Sequence, residues 1–168
     1  MSIRLQFEFA ARRSEICPLQ WDWLDFENRR VVWPDSKTGG MSKPISEEAY
    51  RLFSPPPHQE GCPYVLPSPR LPGRHLTFGE HYNRWKRLLM AAGVPHVGTH
   101  GMRHRSTTDI ANSGVPTKVG IKLTGHKTVS QFMHYVHTED KPVREAAELV
   151  ANRRKTIIEA RRSTVVSA

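Results

Sequence analysis

Residues 100–135 read HGMRHRSTTDIANSGVPTKVGIKLTGHKTVSQFMHY, and their pattern governs the architecture expected of the whole chain. His100 and Arg103 are three positions apart, so a helix that begins here carries both side chains on one face. Gly114 and Pro116 follow where such a helix should end, because glycine favours helix C-termini and proline cannot continue a helix. The first part of this segment is therefore predicted to be a helix that presents His and Arg together.

The second part of the segment contains a short predicted helix from Thr117 to Leu123, which should end at Gly125. His126 follows that glycine directly, and Tyr135 lies nine positions later, at the end of another predicted helical turn. Fixed positive charge, proton acceptors and a nucleophile are the groups that phosphoryl transfer on nucleic acid requires. The segment is therefore the candidate catalytic region.

Two predicted elements precede this region near the N-terminus. The apolar pattern of residues 3–17 predicts one helix that ends at Pro18 and carries Arg12 near its C-terminal end. The RRVVW run at residues 29–33 predicts a strand.

A β-hairpin is predicted from the residues that follow. DSKTGG at residues 35–40 is a turn signal, and residues 41–45 are predicted to form the returning strand. Lys37 therefore lies at or beside the hairpin tip. Ser46 is predicted to cap a short helix after the hairpin.

The middle of the chain contains a proline-rich loop and a helix. Residues 54–74 carry seven prolines, which predicts an extended surface loop. Thr77 and Glu80 form a capping-box pattern that begins a helix ended by Gly93. The apolar stripe of this helix, which contains Phe78, Tyr82, Trp85 and Leu89, is expected to belong to the core. At the other end of the chain, residues 159–168 are expected to be a flexible tail.

Length and charge restrict the class of protein. The 168 residues favour a single domain, and a net charge of +9 favours a polyanionic partner. Cys17 and Cys62 give no disulfide framework, which favours an intracellular location. We find no apolar run of membrane-spanning length and no signal-peptide pattern, so no membrane association is expected.

The motifs together resemble the tyrosine recombinase, or phage integrase, family. The order H-x-x-R, G-H and Y in residues 100–135 agrees with the family, and Arg12-Arg13-Ser14-Glu15 matches its first arginine motif. Lys37 fits the lysine that the family carries on a hairpin turn. The resemblance implies a mainly α fold with a small antiparallel β-sheet, the tyrosine recombinase catalytic-domain fold. The catalytic set that it implies is Arg12, Lys37, His100, Arg103, His126 and Tyr135.

The resemblance also implies partners and a cellular setting. We expect double-stranded DNA as the substrate, self-association on DNA, and a cytoplasmic protein of bacterial, phage or mobile-element origin. Residues 1–168 are expected to form one catalytic domain, without the N-terminal DNA-clamping domain that members of the family usually carry.

The implied chemistry is cleavage and rejoining of DNA through a 3′-phosphotyrosine. Arg12 and Arg103 are expected to hold the phosphate oxygens in bidentate contacts, which favours the phenolate of Tyr135 and makes Mg²⁺ unnecessary, so no cofactor or metal is expected. Lys37 is expected to protonate the leaving 5′-oxygen. His100 and His126 are expected to accept a proton or to contact the phosphate, and the sequence does not separate these roles.

Other functions and other roles are weighed against this hypothesis. A type IB topoisomerase shares the chemistry, and a DNA-binding relative of the fold could have lost turnover. His100 and His104 have the spacing of zinc-binding helices, but Gly101 occupies the position where the metalloprotease motif has Glu. A metal site is therefore not expected. His104, His134 and His137 flank the motif and are expected to be structural or supporting residues.

Overall fold

The computed structural model of the chain describes residues 1–34, 40–53, 61–136 and 140–166. The chain divides after Val136 into two compact units. The first unit contains α1 to α7 and a three-stranded sheet, and the second contains α8. The helices are α1 (Ser2–Glu8), α2 (Arg13–Ile16), α3 (Glu47–Phe53), α4 (Phe78–Ala92), α5 (His100–Ala111), α6 (Thr117–Thr124), α7 (Val129–Met133) and α8 (Asp140–Val166). The mainly α architecture with a small sheet confirms the expected fold class.

The sheet consists of β1 (Leu24–Asp25), β2 (Arg30–Trp33) and β3 (Met41–Pro44), which pair antiparallel in that order. In β2, Val31 and Trp33 are buried while their neighbours are exposed, which is the alternation expected when one face of a sheet packs on the core. In β3, the buried position is occupied by Lys43. The predicted hairpin strands are confirmed, but the tip that carries Lys37 lies outside the described residues.

The single helix expected over residues 3–17 is wrong, because the chain forms α1 and α2 with a turn between them. Ala10, in this turn, has φ of +43°, a left-handed conformation that side-chain-bearing residues seldom adopt. Arg12 has an extended backbone and is the N-cap residue of α2. The sequence did not reveal this break, since alanine pairs ordinarily favour a continuous helix.

Helix α4 begins and ends as predicted. Thr77 and Glu80 form the capping box, and Gly93 ends the helix in a left-handed conformation. The expectation that the aromatic stripe is core holds only in part. Leu89 is buried, whereas Phe78 is 43% exposed and lies under the guanidinium of Arg13, 5.0 Å from its ring centre. Stacking on an arginine lets an aromatic ring remain partly exposed at the surface.

A buried polar network connects α4 with α1 and with the start of α5. His81 contacts Gln6 at 2.7 Å and Ser2 at 3.1 Å. The Gln6 amide donates in turn to the carbonyl of Thr99, the residue that precedes α5. Burial and the nearby positive charge of Arg84 lower the pKa of His81 to about 4, so this network is held by a neutral imidazole at pH 7.

The proline-rich loop and the C-terminal segment complete the description. Residues 61–74 contain no helix or strand, as predicted. An isolated β-bridge between Tyr64 and Gln20 ties this loop to the rest of the unit, and a second bridge joins Pro67 to His75 at the end of the loop. Residues 54–60 of that loop lie outside the described residues. Residues 159–166, expected to belong to a flexible tail, continue α8 as far as Val166, because Glu, Ala and Arg in this run are good helix formers.

No helix among the described residues is long and apolar enough to cross a membrane.

Candidate functional site

The site is built around the first turns of α5, which begins at His100 as predicted. Arg103 follows one turn later, and its guanidinium reaches the turn between α1 and α2, where it donates to the carbonyl of Ala10. Ser106 anchors the same helix by donating to the carbonyl of Phe7 at 2.7 Å. Helix α5 is therefore fixed against α1 through side-chain bonds to main-chain oxygens.

Arg103 is 2% exposed and is held by carbonyl oxygens from two other segments. Its Nη2 donates to Thr124 at 2.9 Å, and its Nη1 donates to Ala10. A carboxylate oxygen of Glu15 lies 3.9 Å from Nη1. Burial and the charge of Arg12 lower the pKa of Arg103. The guanidinium has five N–H donors, so these two hydrogen bonds leave others to bind an anion.

Arg12 is held by the last residue of its own motif. The two carboxylate oxygens of Glu15 accept from the backbone N–H of Arg12 at 2.8 Å and from its Nη1 at 2.7 Å. Glu15 is buried, while the side chain of Arg12 is 34% exposed. The carboxylate thus fixes the position of the Arg12 side chain and leaves part of its guanidinium accessible to a ligand.

His126 follows the left-handed glycine that ends α6. A Cβ at Gly125 would meet the sulfur of Met41 at 2.6 Å and the amine of Lys43 at 3.7 Å, so glycine is required both for its φ of +69° and for this close packing. His126 Nδ1 lies 2.7 Å from the hydroxyl of Thr124. This contact orients the imidazole and leaves Nε2 for a substrate.

Tyr135 lies in the turn that follows α7. Its backbone N–H donates to the carbonyl of Phe132 at 3.0 Å, and its carbonyl accepts from the amide of Asn112 at 3.0 Å. The phenol ring neighbours two imidazoles: its centre lies 4.9 Å from that of His104 and 5.4 Å from that of His126. These contacts join Tyr135 to α5 and to the turn after α6.

The electrostatics of the cluster favour the neutral form of two of its histidines, His100 and His126. Burial and the charges of Arg103 and Arg12 lower the pKa of His100. The same causes, together with Lys43, lower the pKa of His126 to about 4. A neutral imidazole is able to accept a proton, whereas the two arginines keep their charge. The cluster therefore combines fixed positive charge with proton acceptors.

Two clefts flank the cluster. One, of about 670 Å³, is lined by Arg12 and His100 together with Phe78. The other, of about 650 Å³, lies between β3 and α6 and is lined by His126 and Lys127. A polyanion that contacts Arg12 and His126 would have open space next to each of these residues.

Five of the six residues predicted for the site are brought together, and their catalytic roles remain predictions. They are Arg12, His100, Arg103, His126 and Tyr135. Lys37 lies outside the described residues. Of the three flanking histidines that were expected to be supporting residues, His104 contacts the Tyr135 ring, His134 is exposed, and His137 lies outside the described residues.

Two charged residues of the cluster were missed by sequence reasoning. Glu15 was noted only as the last residue of the first arginine motif, and its role as the carboxylate that holds Arg12 was not inferred. Lys43 was treated as an ordinary strand residue. The sequence did contain a signal for Lys43. Residues 41, 43 and 45 lie on the same face of a strand, and the apolar residues Met41 and Ile45 indicate that this face is turned towards the core.

Known proteins resemble this chain in sequence and in fold. The model of the phage integrase family matches residues 1–141. A putative prophage phiRv2 integrase of Mycobacterium tuberculosis is 27% identical over 161 residues, which covers 84% of this chain and 43% of that protein. A tyrosine recombinase XerC of Mycobacterium sp. (strain KMS) is 30% identical over 145 residues, 80% of this chain and 47% of that protein. The chain thus spans less than half the length of these relatives.

A solved structure shares the fold. The Tn1549 transposon integrase in complex with transposon right end DNA superimposes with a TM-score of 0.72 at 21% identity. The match covers 89% of this chain and 57% of that one.

Proposed function

The chain belongs to the phage integrase family, and from this premise we propose that it is the catalytic domain of a site-specific DNA recombinase. The proposed reaction cleaves and rejoins DNA through a 3′-phosphotyrosine formed on Tyr135. The observation that carries this proposal is the convergence of two arginines, two neutral histidines and Tyr135 in one cluster. The DNA complex of the similar Tn1549 integrase supports double-stranded DNA as the substrate.

The two arginines supply the electrostatic part of the mechanism. Attack on a phosphodiester builds negative charge on the non-bridging oxygens of a five-coordinate phosphorus. Arg12 and Arg103 bind these oxygens through charged hydrogen bonds, and their positions are already fixed before the DNA arrives. Because Glu15 and the carbonyls of Ala10 and Thr124 hold both guanidinium groups, little reorganisation is needed in the transition state.

The covalent step forms one phosphorus–oxygen bond and breaks another. The Tyr135 oxygen attacks the phosphorus, its proton passes to a neutral histidine of the cluster, and the 5′-oxygen of the next nucleotide leaves. The Thr124 hydroxyl donates its one proton to the Gly120 carbonyl at 2.8 Å, so His126 donates from Nδ1 to the hydroxyl oxygen at 2.7 Å and its neutral Nε2 is able to accept the Tyr135 proton. Lys37 gives the leaving oxygen its proton.

Rejoining is the same reaction in reverse. A 5′-hydroxyl attacks the phosphotyrosine and returns a proton to Lys37, while the Tyr135 oxygen leaves and takes its proton back from the histidine, so no ATP is consumed. Exchange between two DNA duplexes requires a protein on each cleaved strand, and we propose that copies of the protein associate on DNA. Because the relatives are bacterial and prophage enzymes, the proposed place of action is the bacterial cytoplasm.

Covalent capture on DNA of random sequence tests the proposal. Nicked duplexes with a randomised central sequence are incubated with the protein, because a nick next to the cleavage site lets the short fragment diffuse away and prevents rejoining. Protein–DNA adducts that survive denaturing gel electrophoresis are then recovered and sequenced. We expect adducts that carry a shared DNA sequence on their 3′-phosphate.

Tyr135→Phe is the matched control, because it removes only the nucleophilic oxygen. We expect this variant to bind the recovered sequence with the affinity of the wild type and to form no adduct. An adduct that persists in Tyr135→Phe would place the nucleophile elsewhere. If the wild type binds the DNA and forms no adduct, the protein is a DNA-binding relative that has lost turnover.

A further inference from the structure

Lys43 is a buried charged residue that the proposed mechanism does not use. It is 1% exposed on β3, and among the described residues no carboxylate forms an ion pair with it. Its Nζ donates to the carbonyl oxygen of Phe9 at 2.6 Å. A lysine is rarely buried in this way, because removing the ammonium from water is costly unless a partner compensates for the lost hydration.

The carbonyl that Lys43 binds belongs to the left-handed turn between α1 and α2. Lys43 donates to the Phe9 oxygen, and Arg103 donates to the next carbonyl, that of Ala10. Two cations from different elements therefore hold successive oxygens of one turn, in which Ala10 has φ of +43°. Such a conformation persists only where its surroundings enforce it.

The turn leads directly into the phosphate clamp, which consists of Arg12 and Arg103. Arg12 follows Ala10 by two residues and caps α2, and Arg103 depends on the Ala10 oxygen for one of its two carbonyl contacts. We propose that Lys43 is a positioning residue whose Nζ donor holds the Phe9–Ala10 turn in the conformation that aligns Arg12 and Arg103 on the scissile phosphate. This inference rests on the proposed function and assigns a role to a residue outside the family motifs described above.

The surroundings of Lys43 make this support sensitive to pH. Burial and the charges of Arg103 and Arg12 lower the pKa of Lys43 to about 7, against the opposing effect of Glu15. Among the residues that the structure describes, His126 also faces Lys43. Because this pKa lies below that of a lysine in water, the ammonium is less stable in this site than in solvent. An opening of the turn that lets water reach Lys43 takes up a proton, so this opening becomes less favourable as the pH rises through 7.

Lys43→Met tests the proposal, since methionine keeps the length of the side chain without its charge. At pH 6.5, we expect unchanged DNA affinity and adduct formation slowed by roughly 10- to 100-fold, the effect typical of a small misplacement of catalytic groups. Lys86→Met, which removes an exposed lysine of α4, is the matched control and should behave like the wild type.

A substrate with sulfur in place of the bridging 5′-oxygen separates positioning from proton donation. A thiolate leaves without a proton, so this substrate rescues the loss of a general acid but not the misalignment of the clamp. We expect no rescue of Lys43→Met. Rescue would overturn the proposal, because Lys43 would then be a proton donor. Wild-type rates in a folded Lys43→Met protein would also overturn it.

Amide hydrogen exchange provides a measurement that does not depend on catalysis. The Ala11 N–H donates to Gln6 across the same turn, and we expect it to exchange about tenfold faster in Lys43→Met, as suits the loss of one charged hydrogen bond. Protection in the wild type, corrected for intrinsic exchange, should rise as the pH rises through 7, because opening of the turn then requires Lys43 to take up a proton.

Two further outcomes are decided by the same measurement. If Lys43→Met does not fold, two measurements replace it: the exchange of Ala11 in Lys43→Gln, which keeps an N–H donor, and the pH profile of Ala11 exchange in the wild type. Protection of the Ala11 N–H that does not change with pH contradicts the proposal. If the wild type forms no adduct, the proposed function fails, and the exchange of Ala11 alone decides whether Lys43 holds the turn.

Discussion

The arginines and the lysine of the proposed mechanism stabilise charge on different oxygens of the phosphate. Arg103 is buried and fixed by carbonyls of Ala10 and Thr124, which suits a group that must bind non-bridging oxygens in one geometry. A general acid instead has to reach the leaving oxygen and release a proton, and a lysine ammonium is able to do so whereas an arginine is not. This division makes the two kinds of residue separable by experiment.

The first prediction at this scale concerns Lys37 and Arg103. With ordinary DNA, Lys37→Ala should form adducts about 10²- to 10⁴-fold more slowly, the usual effect of losing a general acid. With sulfur at the bridging 5′-position, Lys37→Ala should recover most of the rate, because the thiolate needs no proton. Arg103→Ala should not recover, since its charge acts on oxygens that the sulfur leaves unchanged.

Single-turnover adduct formation on both substrates measures this difference. DNA affinity is measured in parallel, so that the two variants are compared only where both bind DNA normally. If both then respond to the sulfur substrate in the same way, Lys37 and Arg103 do not act on different oxygens of the phosphate. Equal rescue of both variants, or rescue of neither, would therefore contradict the assignment of Lys37 as general acid.

At the scale of elements, the position of Tyr135 depends on how α7 packs against α6. A Cβ at Gly120 in α6 would lie 3.1 Å from two ring carbons of Phe132 and still closer to a third. Phe132 is 1% exposed in α7, so its ring has little room to move. The absence of a side chain at Gly120 thus allows α7, and the turn that carries Tyr135, to approach α6.

Gly120→Ala should therefore destabilise the protein, although alanine is the better helix former. Overpacking costs roughly 1–3 kcal/mol, which exceeds the gain of about 1 kcal/mol in helix propensity. Gly79→Ala is the control: Gly79 also lies in a helix, but nothing is within 4 Å of its Cβ position, so this change should be stabilising by up to about 1 kcal/mol. Urea denaturation of both variants measures the two effects. Equal stability of the two variants would show that the α6–α7 contact is not tight.

The elements also show what sequence reasoning is able to find. Helix ends at Gly93 and Gly125, and the cap at Thr77, were predicted correctly because they depend on neighbouring residues. The turn between α1 and α2 was not, because the cations that hold it come from Lys43 and Arg103, which are 34 and 93 positions away from the carbonyls that they bind. Interactions at such separations leave no periodic signal in the local sequence.

The same reasoning applies to the site. His100, Arg103, His126 and Tyr135 were predicted because they stand in one segment at recognisable intervals. The function of Glu15 and the burial of Lys43 are properties of three-dimensional packing. A charged residue at an inward position of a strand was the one indication in the sequence, and it was not used.

At the scale of the whole molecule, charge governs the approach to DNA. The chain carries 25 Lys and Arg against 16 Asp and Glu, a net charge of +9, which favours any polyanion at long range. Net charge alone does not distinguish an arginine of the phosphate clamp from one elsewhere on the surface. Arg51 is of the second kind: it belongs to α3, outside the clamp, and lies 3.8 Å from carboxylate oxygens of both Glu47 and Glu48.

The salt dependence of DNA binding should separate these two kinds of arginine. Affinity is expected to fall steeply between low and physiological salt, because each phosphate contact releases counterions and adds roughly 0.9 to the slope of log K against log salt. Arg12→Gln removes a proposed phosphate contact and should reduce that slope by about 0.9. Arg51→Gln removes the same charge without a contact and should leave the slope unchanged. Fluorescence anisotropy across a salt series measures both slopes, and an equal reduction in the two variants would mean that net charge, rather than the clamp, attracts the DNA.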